Sequence, residues 1–269
     1  MAKLYLVVTP IGNLKDISYR AVETLEKVDF IACENPNNSL KLLQNFNISK
    51  KLIQVNAVHE QEMSNNVLNL LKDGHDVAFI SDAGFPCISD PGSTLVKLCV
   101  ENDIDVTTIG GNSACLNALL GSDIDCTKFT FLGFLSSKPG TLKNELENYK
   151  NRCETLIFYE SSHRILDTLN IMYEVFGERK VCVAKELTKI FETYIRFTLH
   201  KDIKLTQDQQ KGEFVIVVEG NKNSEISYDS LLQKVNELIK LGVSTKSACE
   251  FIAKENNISK NVLYKLIHK

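Results

Sequence analysis

Short apolar runs alternate with helix-length amphipathic segments along the first 120 residues. The runs are rich in Val, Ile and Leu and lie at 3–9, 30–33, 52–55, 77–80 and 106–109. Between them, helices are predicted from a cap at Ser18, over 39–46, 63–72 and 93–100, and from Ser113 through Leu120. Strands that alternate with helices in this way predict βαβ units and a largely parallel sheet.

Three loops rich in Gly, Pro or Asn follow strands and precede helices: the first loop (10–16), the central loop (81–92) and the third loop (110–113). Gly permits positive φ and a close approach of the backbone to a ligand, whereas Pro restricts φ. Open α/β sheets bind ligands at the carboxyl ends of their strands, so the three loops predict one site. An ordinary turn is the alternative for the central loop, but such turns usually have about two to six residues.

The second half of the chain has a different pattern. A polar stretch near 121–128 is the predicted boundary between domains at 1–122 and 123–222. Beyond it, strands are predicted near 130–134, 155–159, 181–184, 190–198 and 214–218, with a helix over 165–176. Residues 190–198 alternate enough to suggest an antiparallel strand, so this domain is predicted to be mixed α/β.

The last part of the chain follows a polar, linker-like stretch at 221–228. Helices predicted over 231–241, 244–253 and 259–267 form a helix-turn-helix-like module at 225–269. The module has seven Lys against five acidic residues. A small packing unit and a nucleic-acid reader both fit this pattern.

Composition limits the class of protein. A net charge of −3 and a pI near 6.0 exclude a protein that coats nucleic acid non-specifically, although a local RNA-binding patch remains compatible. The chain has no membrane-spanning apolar run and no signal-peptide pattern at its start. Its eight Cys include no C-x-x-C pair, which predicts free thiols in a reducing cytoplasm and no structural metal site.

Several longer motifs occur in a fixed order along the chain. They are LYLV at 4–7, TPIGNL at 9–14, SDAG at 81–84, SDPG at 89–92, FLGFL at 131–135, FYESSHR at 158–164, ELTK at 186–189 and KGE at 211–213. Together they resemble the ribosomal RNA small-subunit methyltransferase I family, a branch of the tetrapyrrole-methylase superfamily. The resemblance covers nearly the whole chain. It implies a two-domain α/β tetrapyrrole-methylase-like fold with a C-terminal helical module.

The resemblance also implies an activity. A protein of this family would act as a homodimer, use S-adenosylmethionine, and methylate the 2′-hydroxyl of a cytidine in the decoding region of 16S ribosomal RNA in the small ribosomal subunit. The implied cofactor-binding residues are Pro10, Ile11, Gly84, Pro86, Ile88, Ser113, Ala114, Tyr159 and Glu213. A nicotinamide dehydrogenase is disfavoured because the G-x-G-x-x-G fingerprint is absent.

Charged residues at the ends of predicted strands are the candidates for chemistry. They are Glu34, Glu160, Arg164, Glu186 and Lys189, and a pair at His59 and Glu60 is a further candidate. We expect Glu34 to act as a substrate-binding residue or base, and Arg164 and Lys189 to contact phosphate. For each, a surface or capping role is the alternative.

The sequence departs from the family pattern at two places. Where the family has Glu-Asp-Thr-Arg, this chain has Glu34-Asn35-Pro36-Asn37, which lacks the Arg that would bind phosphate. Where the family has Pro-Gly-Pro, this chain has Gly110-Gly111-Asn112. A related methyltransferase for a small tetrapyrrole-like substrate and a non-catalytic ribosome-binding relative are therefore alternative functions.

Overall fold

The computed structural model describes residues 2–222, 228–256 and 258–267. The chain divides into two compact units, 1–220 and 221–269. Within the described residues, no helix is both long enough and apolar enough to cross a membrane.

The first sheet has five strands: β1 (Lys3–Val7), β2 (Phe30–Cys33), β3 (Lys51–Gln54), β4 (Val77–Ile80) and β5 (Asp105–Ile109). Their order is β3-β2-β4-β1-β5, and all four neighbouring pairs are parallel. The predicted parallel sheet is thus confirmed. All five carboxyl ends lie at one edge of the sheet, where the site was expected.

Helices cover both faces of this sheet. They are α1 (Tyr19–Lys27), α2 (Pro36–Asn45), α3 (Glu60–Lys72) and α4 (Ser93–Glu101). A fifth helix, α5 (Ala114–Leu120), follows β5 and packs against the second sheet described below. Side chains alternate between two cores: Phe79 packs under α3 and α4, whereas Ile80 packs under α1 and α2. Because β4 is buried on both faces, its sequence is a continuous apolar run.

Two helices beside the first sheet begin earlier than their periodicity predicted. The helix expected over 39–46 starts at Pro36, because the Asn35 side chain accepts a hydrogen bond from the Asn37 backbone and caps it. The helix expected from 63 starts at Glu60. Its first turn is polar, so the apolar periodicity predicts a start that is three residues too late. The departure from the family pattern at Asn35 and Pro36 therefore forms a helix start.

The second sheet is mixed, as predicted. It contains β6 (Phe129–Phe134), β7 (Thr155–Ser161), β8 (Lys180–Lys185), β9 (Thr193–Thr198) and β10 (Glu213–Val218) in the order β6-β7-β10-β8-β9. Only β6 and β7 are parallel. Helices α6 (Pro139–Glu147) and α7 (Ile165–Phe176) cover one face, and α5 packs on the other, which we call the α5 face.

Both sheets belong to the unit 1–220, although the predicted boundary near 122 does fall between them. The second unit contains α8 (Tyr228–Lys240), α9 (Thr245–Glu255) and α10 (Lys260–Ile267). These helices share a small core that includes Val235, Ala248 and Leu263. The middle of the predicted 221–228 linker, at 223–227, lies outside the described residues, as do residues 257, 268 and 269 of the predicted module.

Candidate active site

The three Gly, Pro and Asn loops are hydrogen-bonded to one another. Thr9 and Gly84 exchange two backbone hydrogen bonds of 3.0 and 3.1 Å, which join the start of the first loop to the central loop. The Asn112 amide donates to the Asp16 carboxylate at 3.1 Å, which joins the third loop to the first. The prediction that all three loops meet at one edge is therefore confirmed.

The central loop is held in an unusual backbone conformation. Cys87 and Ser89 have φ of 69° and 65°, in the left-handed region that non-glycine residues seldom adopt. At the loop's end the Glu60 carboxylate accepts hydrogen bonds from the backbone N–H of Gly92 at 2.8 Å and Thr94 at 3.1 Å. Glu60, a candidate for chemistry, is therefore placed as the cap of α4.

Gly92→Ala is expected to destabilise the protein by about 2–4 kcal/mol. Gly92 has a φ of 125°, and an added Cβ would overlap the buried Phe79 ring and lie 2.8 Å from the Cys87 sulfur. Gly110→Ala is the matched control, because no atom lies within 4 Å of the added Cβ there. Urea unfolding of both variants measures the difference, and equal stabilities would contradict this account of the loop.

A cavity of about 360 Å³ lies beside the central loop on the α4 side of the first sheet. Its lining includes Leu6, Pro86, Cys87, Ile88, Val96 and Thr108. The volume is within the range of about 300–1,000 Å³ that small-molecule sites occupy. Two of the predicted cofactor-binding residues, Pro86 and Ile88, therefore line a cavity of suitable size.

The other predicted cofactor residues occupy different places. Ile11, Ala114 and Tyr159 pack together in the apolar cluster between α5 and the second sheet. Pro10 and Gly84 lie in the connected first and central loops, and Ser113 caps α5 by accepting a hydrogen bond from the Leu116 backbone at 3.4 Å. Glu213 is largely exposed and forms an ion pair with Lys189 at 2.8 Å.

Three carboxylates converge at the carboxyl edge of the first sheet. Glu34 follows β2, and Asp82 and Asp90 lie at the two ends of the central loop. Burial, reinforced by the Asp82 charge, raises the pKa of Glu34. Burial, reinforced by the charges of Glu34 and Asp82, raises the pKa of Asp90 to about 6.

This carboxylate cluster lacks a compensating cation. Within the part of the chain that the structure describes, no Lys, Arg or His forms an ion pair with Glu34, Asp82 or Asp90, and Asp82 accepts a hydrogen bond from the Asn38 amide at 2.7 Å. Strand-end position in the sequence predicts Glu34 as a site residue but neither of the two Asp residues. The available signal was that each follows a Ser at one end of the central loop.

Glu160 and Arg164 form an internal ion pair. Glu160 is 1% exposed and accepts hydrogen bonds from Arg164 at 2.7 Å, the Ser161 backbone at 2.7 Å and the Thr168 hydroxyl at 2.6 Å. Along β7, Glu160 points to the α7 face, opposite to Tyr159. The structure therefore places this pair apart from the carboxylate cluster, and its predicted catalytic role stays untested.

Glu186 and Lys189 lie in a segment that contacts the first loop. Lys189 contacts both Glu186, at 3.0 Å, and Glu213, at 2.8 Å. Burial alone would lower the pKa of Lys189, but its hydrogen bonds to these two carboxylates raise it. The Asn13 backbone donates to the Thr188 hydroxyl at 3.1 Å, so this segment contacts a predicted cofactor loop.

Comparison with known proteins identifies the family. The family model of Tetrapyrrole (Corrin/Porphyrin) Methylases matches residues 3–201. Ribosomal RNA small subunit methyltransferase I of Haemophilus influenzae is 43% identical over 270 residues, which cover 97% of this chain and 94% of that protein. The Bacillus subtilis protein of the same name is 39% identical over 100% of this chain and 94% of its own length. The chain belongs to the ribosomal RNA small subunit methyltransferase I family.

Solved structures support the fold of this methyltransferase family. The methyltransferase CobJ is 15% identical and superposes with a TM-score of 0.62, over 82% of this chain and 95% of its own. A diphthine synthase is 14% identical with a TM-score of 0.61, over 82% of this chain and 90% of its own. At these identities the likeness shows the fold alone, and it confirms the predicted tetrapyrrole-methylase-like architecture.

Proposed function

We propose that this chain, as a cytoplasmic homodimer, transfers a methyl group from S-adenosylmethionine to the ribose 2′-hydroxyl of a cytidine in the decoding region of 16S ribosomal RNA, within the small ribosomal subunit. The relatives named ribosomal RNA small subunit methyltransferase I match this chain over nearly its whole length, including the C-terminal helical unit. This full-length match favours an RNA substrate over a small tetrapyrrole-like one. The observation that carries the proposal is the half-buried Asp90, which lies beside two further carboxylates in the central loop's site.

The residues present suit S-adenosylmethionine. The cavity beside the central loop has an apolar wall formed by Pro86 and Ile88, which can hold the uncharged parts of such a molecule. Among the residues that the structure describes, no basic side chain pairs with the adjacent carboxylates, so their negative charge favours a bound cation. When bound, S-adenosylmethionine supplies an electrophilic methyl group on a positively charged sulfonium.

The chain's own contribution is to position the hydroxyl and accept its proton. In this proposal Asp90 accepts the proton that the 2′-hydroxyl loses as its oxygen is methylated. Burial, and then the negative charges of Glu34 and Asp82, keep the pKa of Asp90 high, so it can accept this proton. The connected loops fix the alignment of the reacting groups, which supplies much of the rate in such reactions.

The direct test uses small ribosomal subunits from a strain that lacks the gene. Purified protein and S-adenosylmethionine are added, and the RNA is digested and analysed by mass spectrometry. We expect one 2′-O-methylcytidine in the decoding region, with reactions lacking S-adenosylmethionine as the control. If calorimetry shows that S-adenosylmethionine binds but no ribose methyl forms, the proposed reaction is wrong.

The rate should depend on the protonation of Asp90. Its pKa is about 6, and only the carboxylate form can accept a proton. Below this pH the single-turnover rate constant should fall about tenfold per pH unit, and above it the rate should reach a plateau. A rate measured across this range at saturating donor tests the prediction, and a flat profile through pH 6 would contradict it.

A further inference from the structure

A β-bulge interrupts the pairing of β6 with β7. Phe131 pairs with Ile157, but the next registered pair is Phe134 with Tyr159, so β6 advances three residues while β7 advances two. Gly133, within the bulge, has a φ of 64°, which glycine adopts without steric cost. Bulges of this kind change the direction of a side chain and are common beside active sites.

The bulge changes the face to which Phe134 points. In a regular strand Phe134 would share a face with Leu132, which packs in the core under α6 and α7. Instead Phe134 and Phe131 both contact Tyr159 edge-on, with ring centroids 5.5 and 4.8 Å away. Phe134 therefore lies on the α5 face, where its side chain is 57% exposed. The bulge leaves one residue of β6 unpaired with β7.

This aromatic side chain lies close to the carboxylates of the proposed site. The Ser89 hydroxyl is 3.3 Å from the point where a Cβ on Gly133 would lie, so the central loop contacts the bulge directly. Tyr159, the ring partner of Phe134, has its pKa raised to about 12 by burial first and then by nearby charges that include Asp90. Phe134 therefore contacts a tyrosine that is close enough to Asp90 to be affected by its charge.

Exposed aromatic rings beside such a site have a characteristic use. Single-stranded RNA is recognised by stacking its unpaired bases on aromatic side chains, and each stacked base contributes about 1–3 kcal/mol. We propose that Phe134 is the stacking platform for the target nucleobase and so directs the attached ribose toward Asp90. This inference rests on the proposed RNA 2′-O-methylation and assigns the residue that positions the nucleotide.

Phe134→Leu tests the platform, because it keeps an apolar side chain but removes the ring. We expect the KM for small ribosomal subunits to rise about 5- to 100-fold, with the melting temperature and the Kd for S-adenosylmethionine unchanged. Phe134→Tyr should restore the KM to within about threefold of the wild-type value, because it also presents a π-face. Phe129→Leu is the matched control, since Phe129 is 41% exposed at the other end of the same strand and should leave the KM unchanged.

Four results would overturn the stacking role. They are an unchanged KM in Phe134→Leu, a loss of activity explained by a lower melting temperature, no rescue by Phe134→Tyr, and a changed oligomeric state in light scattering. The last result would place Phe134 in a contact between two copies of the chain. Failure of the wild-type protein to methylate ribose would instead overturn the proposed function and this inference together.

Discussion

Asp90→Asn is expected to lower the rate of ribose methylation by about 10²–10⁴-fold and to raise the melting temperature at the same time. The rate falls because the amide cannot accept the hydroxyl proton. The stability rises because Asn removes a half-buried negative charge that lies close to Glu34 and Asp82. We expect a gain of about 2–4 °C, which corresponds to about 1 kcal/mol for a protein of this size.

The pH dependence of that gain has a defined sign. The pKa of Asp90 in the folded protein is about 6, above the ordinary value of 3.8 for an Asp carboxyl, so its negative charge destabilises the fold. This destabilisation is complete above about pH 6 and is lost as the pH falls toward 4. Asp90→Asn should therefore stabilise the protein at pH 7.5 and have little effect at pH 4, as measured by thermal unfolding.

If Asp90 instead had a structural role, Asp90→Asn would not combine a lower rate with a higher melting temperature. The variant would then lose stability, and its activity would fall with the folded fraction. Ser89→Ala is the matched control, because Ser89 is the exposed neighbour of Asp90 in the same loop and the change removes no charge. An active Asp90→Asn variant with a normal pH profile would exclude Asp90 as the base.

Arg164→Met is expected to destabilise the protein by about 3 kcal/mol, because it leaves the buried negative charge of Glu160 without its positively charged partner. The Glu160 carboxyl is 1% exposed and lies 2.7 Å from the Arg164 guanidinium. Replacing both residues, as Glu160→Gln with Arg164→Met, should recover much of the loss, since no unpaired charge then remains. Chemical denaturation of the single and double variants measures both effects.

The control for this pair is Lys143→Met. Lys143 forms a 2.8 Å ion pair with Glu174, but both side chains are about half exposed, so its loss should have little effect on stability. The alternative, a phosphate contact by Arg164, predicts a different result. In that case Arg164→Met would keep its stability and lose affinity for small ribosomal subunits.

The elements that local sequence predicts well are those whose signals lie within a few residues. The side chain of Ser18 caps α1 as expected, and the apolar run at 77–80 is the central strand β4. The start of α2 was missed, although Asn35 and Pro36 are a common pair at a helix start.

The candidate site was predicted only in outline. Strand-end position selected Glu160 and Arg164 together with Glu34, because sequence does not show which face of a strand meets a helix. The structure places the first two in an internal ion pair and places Glu34 beside Asp82 and Asp90. Two of these three carboxylates were absent from the sequence-based candidates.

By itself, the sequence determined the alternation of strands and helices, the parallel first sheet, the positions of the three loops and the family. These features depend on side-chain periodicity and on motifs of a few residues. Only the tertiary structure decided that the carboxylates after β2 and β4 converge, and that a bulge at Gly133 exposes Phe134 on the α5 face. The first depends on strand order, which brings together residues more than 40 positions apart in the chain. The second depends on the pairing of β6 with β7, where Phe134 and Tyr159 are 25 positions apart. Local patterns carry no information about contacts at these separations.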